Sequence, residues 1–253
     1  MLILLKIWEQ MKILTTTNHS KLAVIITAAG SSTRIGGGIK KEYLPYKNGT
    51  VLSASANVFL TAAYPKMELS LLIVTCPQGG VEAAREALCS SPDFEKNLGN
   101  VKLVIREGGA SRQESVFAGL KAVKENCPDA AYVLIHDGAR PFVTQELASQ
   151  VAGAALEFGA SVPGLTPVDT QKEVDENGFV IRHLVRSSLA AVQTPQGFEF
   201  GRLYEAHLKA AGEGGREFTD DTEIWGQYCG AVKVIPGEVN NIKITYPSDL
   251  EKL

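Results

Sequence analysis

Neither of the two familiar phosphate-cradle patterns occurs in this 253-residue chain: there is no Gly-x-x-x-x-Gly-Lys-Ser/Thr run and no Gly-x-Gly-x-x-Gly turn. A P-loop ATPase and a dinucleotide-binding dehydrogenase are therefore not indicated. The four cysteines, Cys76, Cys89, Cys127 and Cys229, form no C-x-x-C pair and have no histidine at ligand spacing. That removes a zinc site and a disulfide framework, and it fits a reducing cytoplasm. Basic charge is not in excess either, with 25 Lys and Arg against 28 Asp and Glu and a formal net charge of −3. A general nucleic-acid binder carries a basic face or tail, so any phosphate site here is local.

No stretch reaches the ~20 consecutive apolar residues of a membrane helix. The opening "MLILLKIWEQMK" is apolar but broken by Lys6, and it lacks a basic leader and a small-residue cleavage site. Residues 1–20 are read as an N-terminal extension rather than a signal peptide, with Met11 as an alternative start. No linker-like tract, internal repeat or low-complexity segment follows, so residues 21–253 read as one large domain.

What is present is an alternation. Apolar, β-branched runs at "LAVIIT" (22–27), "LSLLIVT" (69–75), "VKLVI" (101–105) and "AYVLIH" (131–136) are separated by segments of helical period at 52–63, 81–88, 112–125 and 144–158. Strands alternating with amphipathic helices predict an α/β fold with a mostly parallel sheet covered on both faces. From residue 165 to 187 the pattern becomes polar and apolar by turns around Asp175-Glu176-Asn177-Gly178, which predicts a projecting β-hairpin arm. Helices near 199–211 and 220–228, short strands at "AVKVI" and "NIKIT", and a terminal helix at Pro247 complete the expectation.

In an open parallel sheet the ligand lies beyond the carboxyl ends of the strands, so the loops after Thr27, Ile105 and His136 should converge on it. The first, "AAGSSTRIGGGIKK", joins small residues to Arg34, Lys40 and Lys41. Taken singly, Gly30 is a tight turn and the cations a solvated surface; taken together, backbone N–H groups and positive charge suit a triphosphate. The second places Gly108-Gly109-Ala110 before Ser111 and Glu114, which have the form of a capping box; the glycines suit close approach of a flat base. The third sets Asp137 directly after a buried strand and Arg140 before Pro141. Asp137 is either a turn cap or an acidic group near a ribose or Mg²⁺.

At this point the chain resembles the 2-C-methyl-D-erythritol 4-phosphate cytidylyltransferases of the non-mevalonate isoprenoid pathway. The resemblance rests on "AAGSSTR", "KEYLP", "GGASRQESVFAGL", "IHDGARPFV", "PVDT", "AAVQTPQGF", "FTDD" and "NNIKITYPSDL", in order, across nearly all of residues 21–253. It implies a Rossmann-like nucleotidyltransferase fold whose arm, 165–187, makes a homodimer. It also implies CTP and a polyol phosphate as substrates, Mg²⁺ held mainly by the CTP phosphates with Asp137 nearby, and no nucleic-acid or membrane partner.

Carried onto matching positions, the resemblance implies nucleotide binding by Ala28, Ala29, Gly30, Gly109, Ala110, Ser115, Asp137 and Gly138. It implies catalytic cations at Arg34, Lys41 and Lys243, and polyol-phosphate binding by Asp137, Arg140, Thr194 and Lys243. Thr170 and Arg186 match residues that reach a neighbouring subunit's site. The chain departs from the family pattern around Lys41, where Lys40 replaces the usual Pro and Glu42 the usual Gln, so Lys40 stands as an alternative to Lys41. Two other readings are a ribitol 5-phosphate cytidylyltransferase, whose first turn tends to read A-G-G, and a non-catalytic nucleotide-binding subunit lacking the phosphate cations.

Overall fold

The computed structural model describes residues 19–30, 32, 40–214 and 216–252. In chain order the strands are β1 (Ser20–Thr27), β2 (Pro45–Tyr46), β3 (Gly49–Thr50), β4 (Met67–Cys76), β5 (Lys102–Glu107), β6 (Ala130–Asp137), β7 (Ala160–Leu165), β8 (Lys172–Val174), β9 (Val180–His183), β10 (Ala191–Val192), β11 (Gln196–Glu199) and β12 (Lys233–Pro236). The α-helices among the described residues are α1 (Val51–Thr61), α2 (Val81–Cys89), α3 (Phe94–Leu98), α4 (Arg112–Asn126), α5 (Gln145–Phe158), α6 (Phe200–Glu213) and α7 (Asp221–Tyr228).

Eight strands form the main sheet in the order β10-β7-β11-β6-β1-β4-β5, with β12 also paired to β7. The four strands anticipated from their apolar runs are its parallel core, with Val24 opposite Leu72 on one side and Leu134 on the other. β11 runs antiparallel between β6 and β7. Period-two alternation divides β1 between two cores. Leu22, Val24 and Ile26 pack with α1 and α5, through residues such as Phe59 and Val151. Ala23 and Ile25 face Val116 and Leu120 of α4, in a core that also holds Phe198 and Trp225. A strand buried on both faces has no polar side, which is why these runs read as continuously apolar.

Local chemistry sets the helix starts. The Thr50 hydroxyl accepts from the Ser53 N–H at 3.1 Å while the Ser53 hydroxyl accepts from the Thr50 N–H at 2.8 Å, a reciprocal cap for α1. Thr144 caps α5 through the Leu147 N–H, and Asp220 caps α7 through the Glu223 N–H. The capping box foreseen at α4 is half realised. Ser111 accepts from the Glu114 N–H, but the Glu114 carboxylate turns to the Ala110 N–H instead of the Ser111 one.

Three other expectations change. "NIKIT" forms no strand: its backbone is held irregularly, with the Ile244 N–H on the Ala139 carbonyl at 2.9 Å and the buried Asn241 amide on the Thr194 carbonyl at 2.8 Å. The end of the chain is a 3-10 helix, Pro247–Lys252. β7 was hidden in sequence because "ASVPGL" contains Pro163 and Gly164, residues that argue against a central strand, and β11, "QGFE", is too short to show an alternation. Pro163 has no N–H to give to a ladder; its carbonyl accepts from the Gln193 N–H at 2.8 Å.

β8 and β9 pair antiparallel, as the alternation predicted, with Lys172 opposite His183. The turn differs in detail. Asp175 Oδ1 accepts from the N–H groups of Asn177 and Phe179, and Gly178 alone of the Asn177-Gly178 pair adopts a positive φ, 84°. Val174, Phe179, Val180 and Ile181 remain exposed on this hairpin.

Candidate active site

Parallel strands end together, and here Thr27 lies level with Thr75 and Asp137, and Cys76 with Glu107. Beyond that edge opens a cleft of about 430 Å³. Ala29 and Gly30 line it from the first loop, Gly109, Ala110, Ser111, Arg112 and Ser115 from the second, and Asp137 and Ala139 from the third. Lys41, Glu42, Lys243 and Thr245 close it. The sheet thus converges the three loops singled out in sequence on one space.

Asp137 is the centre of charge. Lys243 Nζ lies 2.8 Å from its Oδ2, Arg112 Nε 3.4 Å from its Oδ1 and Arg140 Nε 3.6 Å from its Oδ2. Burial alone would raise the Asp137 carboxyl, but Lys243, Arg112 and Arg140 outweigh it and hold it well below the ordinary value. Three cations against this carboxylate and Asp221, which also pairs with Arg112, leave the cluster positive by one charge, although the whole chain is acidic.

The carboxylate is oriented from behind. The Asp137 N–H donates to the Thr194 hydroxyl at 3.0 Å, and that hydroxyl faces His136 Nδ1 at 3.1 Å. His136 Nε2 lies 3.2 Å from the Arg140 carbonyl. A single tautomer satisfies the set: Nε2–H donates to Arg140 and Nδ1 accepts from Thr194. Burial pushes the His136 ring down to about 3, so it is neutral at physiological pH. Thr194 is itself buried, and its hydroxyl is engaged with this backing group.

The remaining expected residues fall into place in different ways. Lys41 lines the cleft, with its Nζ donating to the Ile244 carbonyl at 2.8 Å, whereas Lys40 does not line it. Ala28 and Gly138 form the wall behind the lining: their N–H groups donate to the Thr75 and Thr27 carbonyls, both at 2.9 Å. Arg140 is directed to the Asn241 carbonyl at 2.8 Å as well as to Asp137. Thr170 and Arg186 lie at the hairpin, not in the cleft lining, and Arg186 donates to the Val168 carbonyl at 2.6 Å. Arg34 lies outside the described residues.

The paired glycines also have a packing cause. A Cβ on Gly108 would meet Ser115 Oγ at 2.5 Å and Ala29 Cβ at 2.6 Å, and one on Gly109 would meet Glu114 Cβ at 2.2 Å. They let the second loop pack against the first and against its own helix. Gly30 has nothing within 4 Å of its would-be Cβ and presents open backbone to the cleft.

Sequence reasoning missed Arg112. It begins α4, where a cation opposes the helix dipole, and that misfit was the available signal that it answers to acidic partners. Its Nη1 lies 2.8 Å from Asp221 Oδ2, and Asp221 Oδ1 lies 3.1 Å from His207 Nε2. Burial lowers the Arg112 guanidinium, yet Asp221 and Asp137 together raise it. In "FTDD" the two acids divide the work, Asp220 capping α7 and Asp221 holding Arg112.

A cation-ringed carboxylate at the carboxyl edge of a parallel sheet is a place for an anionic ligand, and comparison with known proteins gives the class, a nucleotidyltransferase. The chain belongs to the 2-C-methyl-D-erythritol 4-phosphate cytidylyltransferase (IspD) family, whose model matches residues 22–252. A relative of that name from Clostridium botulinum (strain 657 / Type Ba4) is 36% identical over 231 residues, 91% of this chain and 95% of its own. A bifunctional IspD/IspF enzyme of Nitrobacter winogradskyi is 37% identical over 92% of this chain, which spans 54% of that longer protein.

Solved structures agree. The cytidylyltransferase of Thermus thermophilus superposes with a TM-score of 0.68 at 32% identity, covering 92% of this chain and 96% of the other. 4-Diphosphocytidyl-2C-methyl-D-erythritol synthase from Anaerococcus prevotii gives 0.75 at 25% identity, covering 93% and 95%. No described helix is long and apolar enough to cross a membrane.

Proposed function

We propose that this chain uses the cleft around Asp137 to transfer the cytidylyl group of CTP to 2-C-methyl-D-erythritol 4-phosphate. A phosphate oxygen of the polyol phosphate attacks the α-phosphorus, the α–β bridging bond breaks, and pyrophosphate leaves. The nucleophile arrives ionised, so no side chain needs to remove a proton; the barrier is the approach of two anions and the spread of charge at phosphorus. The observation that carries this reading is the ring of Lys243, Arg112 and Arg140 around one carboxylate. Lys243 bridges nucleophile and α-phosphate, Lys41 and Arg34 meet the reacting phosphates and departing pyrophosphate, and Arg140 holds the polyol phosphate. Thr194 acts on that substrate through the Asp137 backbone it supports.

Backbone from Ala28 to Gly30 and from Gly109 to Ala110, with Ser115, receives cytosine and ribose. Carbonyl acceptors turned to the cytosine amino group would face the O4 of uracil unpaired, a costly mismatch. Mg²⁺ enters this proposal as part of the nucleotide substrate. Among the described residues no group of three or more His, Cys, Asp or Glu is placed to hold a metal. One carboxylate plus substrate phosphates is nevertheless a donor set that Mg²⁺ accepts, and Asp137 is that carboxylate. The ion supplies neutralisation of the phosphate oxygens.

The hairpin makes the chain a homodimer in this reading, with Thr170 and Arg186 completing the partner's polyol-phosphate site. Its support is the exposed apolar surface of Val174, Phe179, Val180 and Ile181, which a two-stranded ribbon cannot cover by itself. A cytoplasmic location is supported by four free cysteines. Pyrophosphate release from CTP or UTP, with methylerythritol phosphate or ribitol 5-phosphate as acceptor, tests the whole. Release with CTP and the branched acceptor is expected. Preference for ribitol 5-phosphate, equal use of UTP, or no turnover despite nucleotide binding would each replace it with a rival.

A further inference from the structure

Among the described residues two carboxylates line the cleft, Asp137 and Glu42. Asp137 is ringed by cations already given work in the reaction. Glu42 has no such assignment, yet its side chain is only 4% exposed, and it shares a wall with Lys41. A lone carboxylate there would repel a polyphosphate, and the repulsion is several-fold stronger in a partly dry cleft than in water.

Lys40, which is not among the lining residues, answers that charge. Its Nζ lies 3.1 Å from Glu42 Oε2, and its side chain is 16% exposed. The Ser32 hydroxyl donates to the same carboxylate oxygen at 3.4 Å. The Lys40 ammonium also donates to the carbonyl of Gly30, the residue whose open backbone lines the cleft. One side chain therefore ties position 30 to position 40 and cancels Glu42. Both partners line the cleft while Lys40 itself does not, and Lys41 is anchored separately to Ile244.

We propose that Lys40 is a positioning residue for the polyphosphate of the nucleotide. It neutralises Glu42 and clasps the Gly30 carbonyl, so that the wall beside Lys41 accepts phosphates without repulsion. The inference rests on the reading of the cleft as a CTP site. A mostly buried ion pair is tolerated while whole and costs much more when one partner is removed, because the other charge is left behind.

The test is direct binding of CTP, pyrophosphate and CMP to the full chain and to Lys40→Met, Glu42→Gln and the double variant, with circular dichroism as a check on folding. Lys40→Met should weaken CTP and pyrophosphate about tenfold, between the effect of a surface pair and that of a fully buried one, and CMP much less. Glu42→Gln in the same chain should restore both to near the parental values. Equal weakening of CMP and CTP, or no recovery in the double variant, overturns the inference by making Lys40 a general structural support. If Lys40→Met does not fold, Glu42→Gln alone decides: pyrophosphate should bind more tightly, and unchanged binding overturns the inference. A parental chain that binds none of the three overturns the functional reading itself, whereas failure of this inference appears only among variants of a parent that binds.

Discussion

Lys243 Nζ sits 2.8 Å from Asp137 Oδ2, with the lysine on an irregular segment and the aspartate at the last position of the central strand β6. The pair joins the two halves of the proposed chemistry, since the same ammonium that fixes the carboxylate faces the cleft where phosphates would lie. Lys243→Met should therefore lower kcat/KM by ~10²–10³, the usual cost of one donor to a charged transition state. Steady-state kinetics with both substrates varied checks this. A loss under threefold would remove Lys243 from the reaction.

Lys41→Ala should lower kcat far more than it raises KM for CTP, because a contact that tightens as pyrophosphate departs appears in the chemical step. The expected loss in kcat is again ~10²–10³. Pre-steady-state quench measurements separate chemistry from product release. A pure KM effect would mean that Lys41 binds the ground state and transition state alike.

His136 makes stability depend on pH. Burial pushes the ring down to about 3 in the folded chain, against an ordinary 6.5. Between those values the unfolded chain binds a proton that the native one refuses, so stability falls as pH falls through that window, by up to about 1.4 kcal/mol per pH unit. Asp137 acts further down: with its folded value depressed, its contribution is full above the unfolded carboxylate range and is lost as pH drops through the folded one. Urea midpoints across the window should decline with acid, and His136→Gln should flatten that decline.

The proposed exchange of hairpin arms in a homodimer predicts complementation. Lys41→Ala disables a cleft and Arg186→Ala disables an arm, so each homodimer should be nearly inactive while a mixed dimer regains one site from an intact core and the opposite intact arm. Co-purification with two affinity tags, followed by the pyrophosphate assay, measures it. Mixed dimers without recovered activity would place Arg186 in its own subunit's site or outside the reaction.

Much of this molecule was legible in one dimension because its signals are local. Continuous apolar runs such as "LAVIIT" mark strands covered on both faces; Ser111 and Thr144 mark helix starts; Asp175 and Gly178 mark the hairpin turn. Each depends on residues within a few positions of one another, and backbone sterics and hydrogen bonding act at that range. The ordered motifs of the family also marked which loops matter.

Only the tertiary structure decided which charges meet. Arg112 reaches Asp221 across 109 positions, and Lys41 reaches the Ile244 carbonyl across 203. Such encounters follow from strand order, which sets Thr27 beside Asp137, and from the irregular course of residues 241–245, which brings Lys243 to Asp137. Sequence alone determined the four parallel core strands, the N-caps at Ser111 and Thr144 and the supply of cations. The fold determined that Lys41 and Glu42 line the cleft while Lys40 does not, and a bond across 203 positions, not a neighbouring residue, fixes where the Lys41 side chain ends.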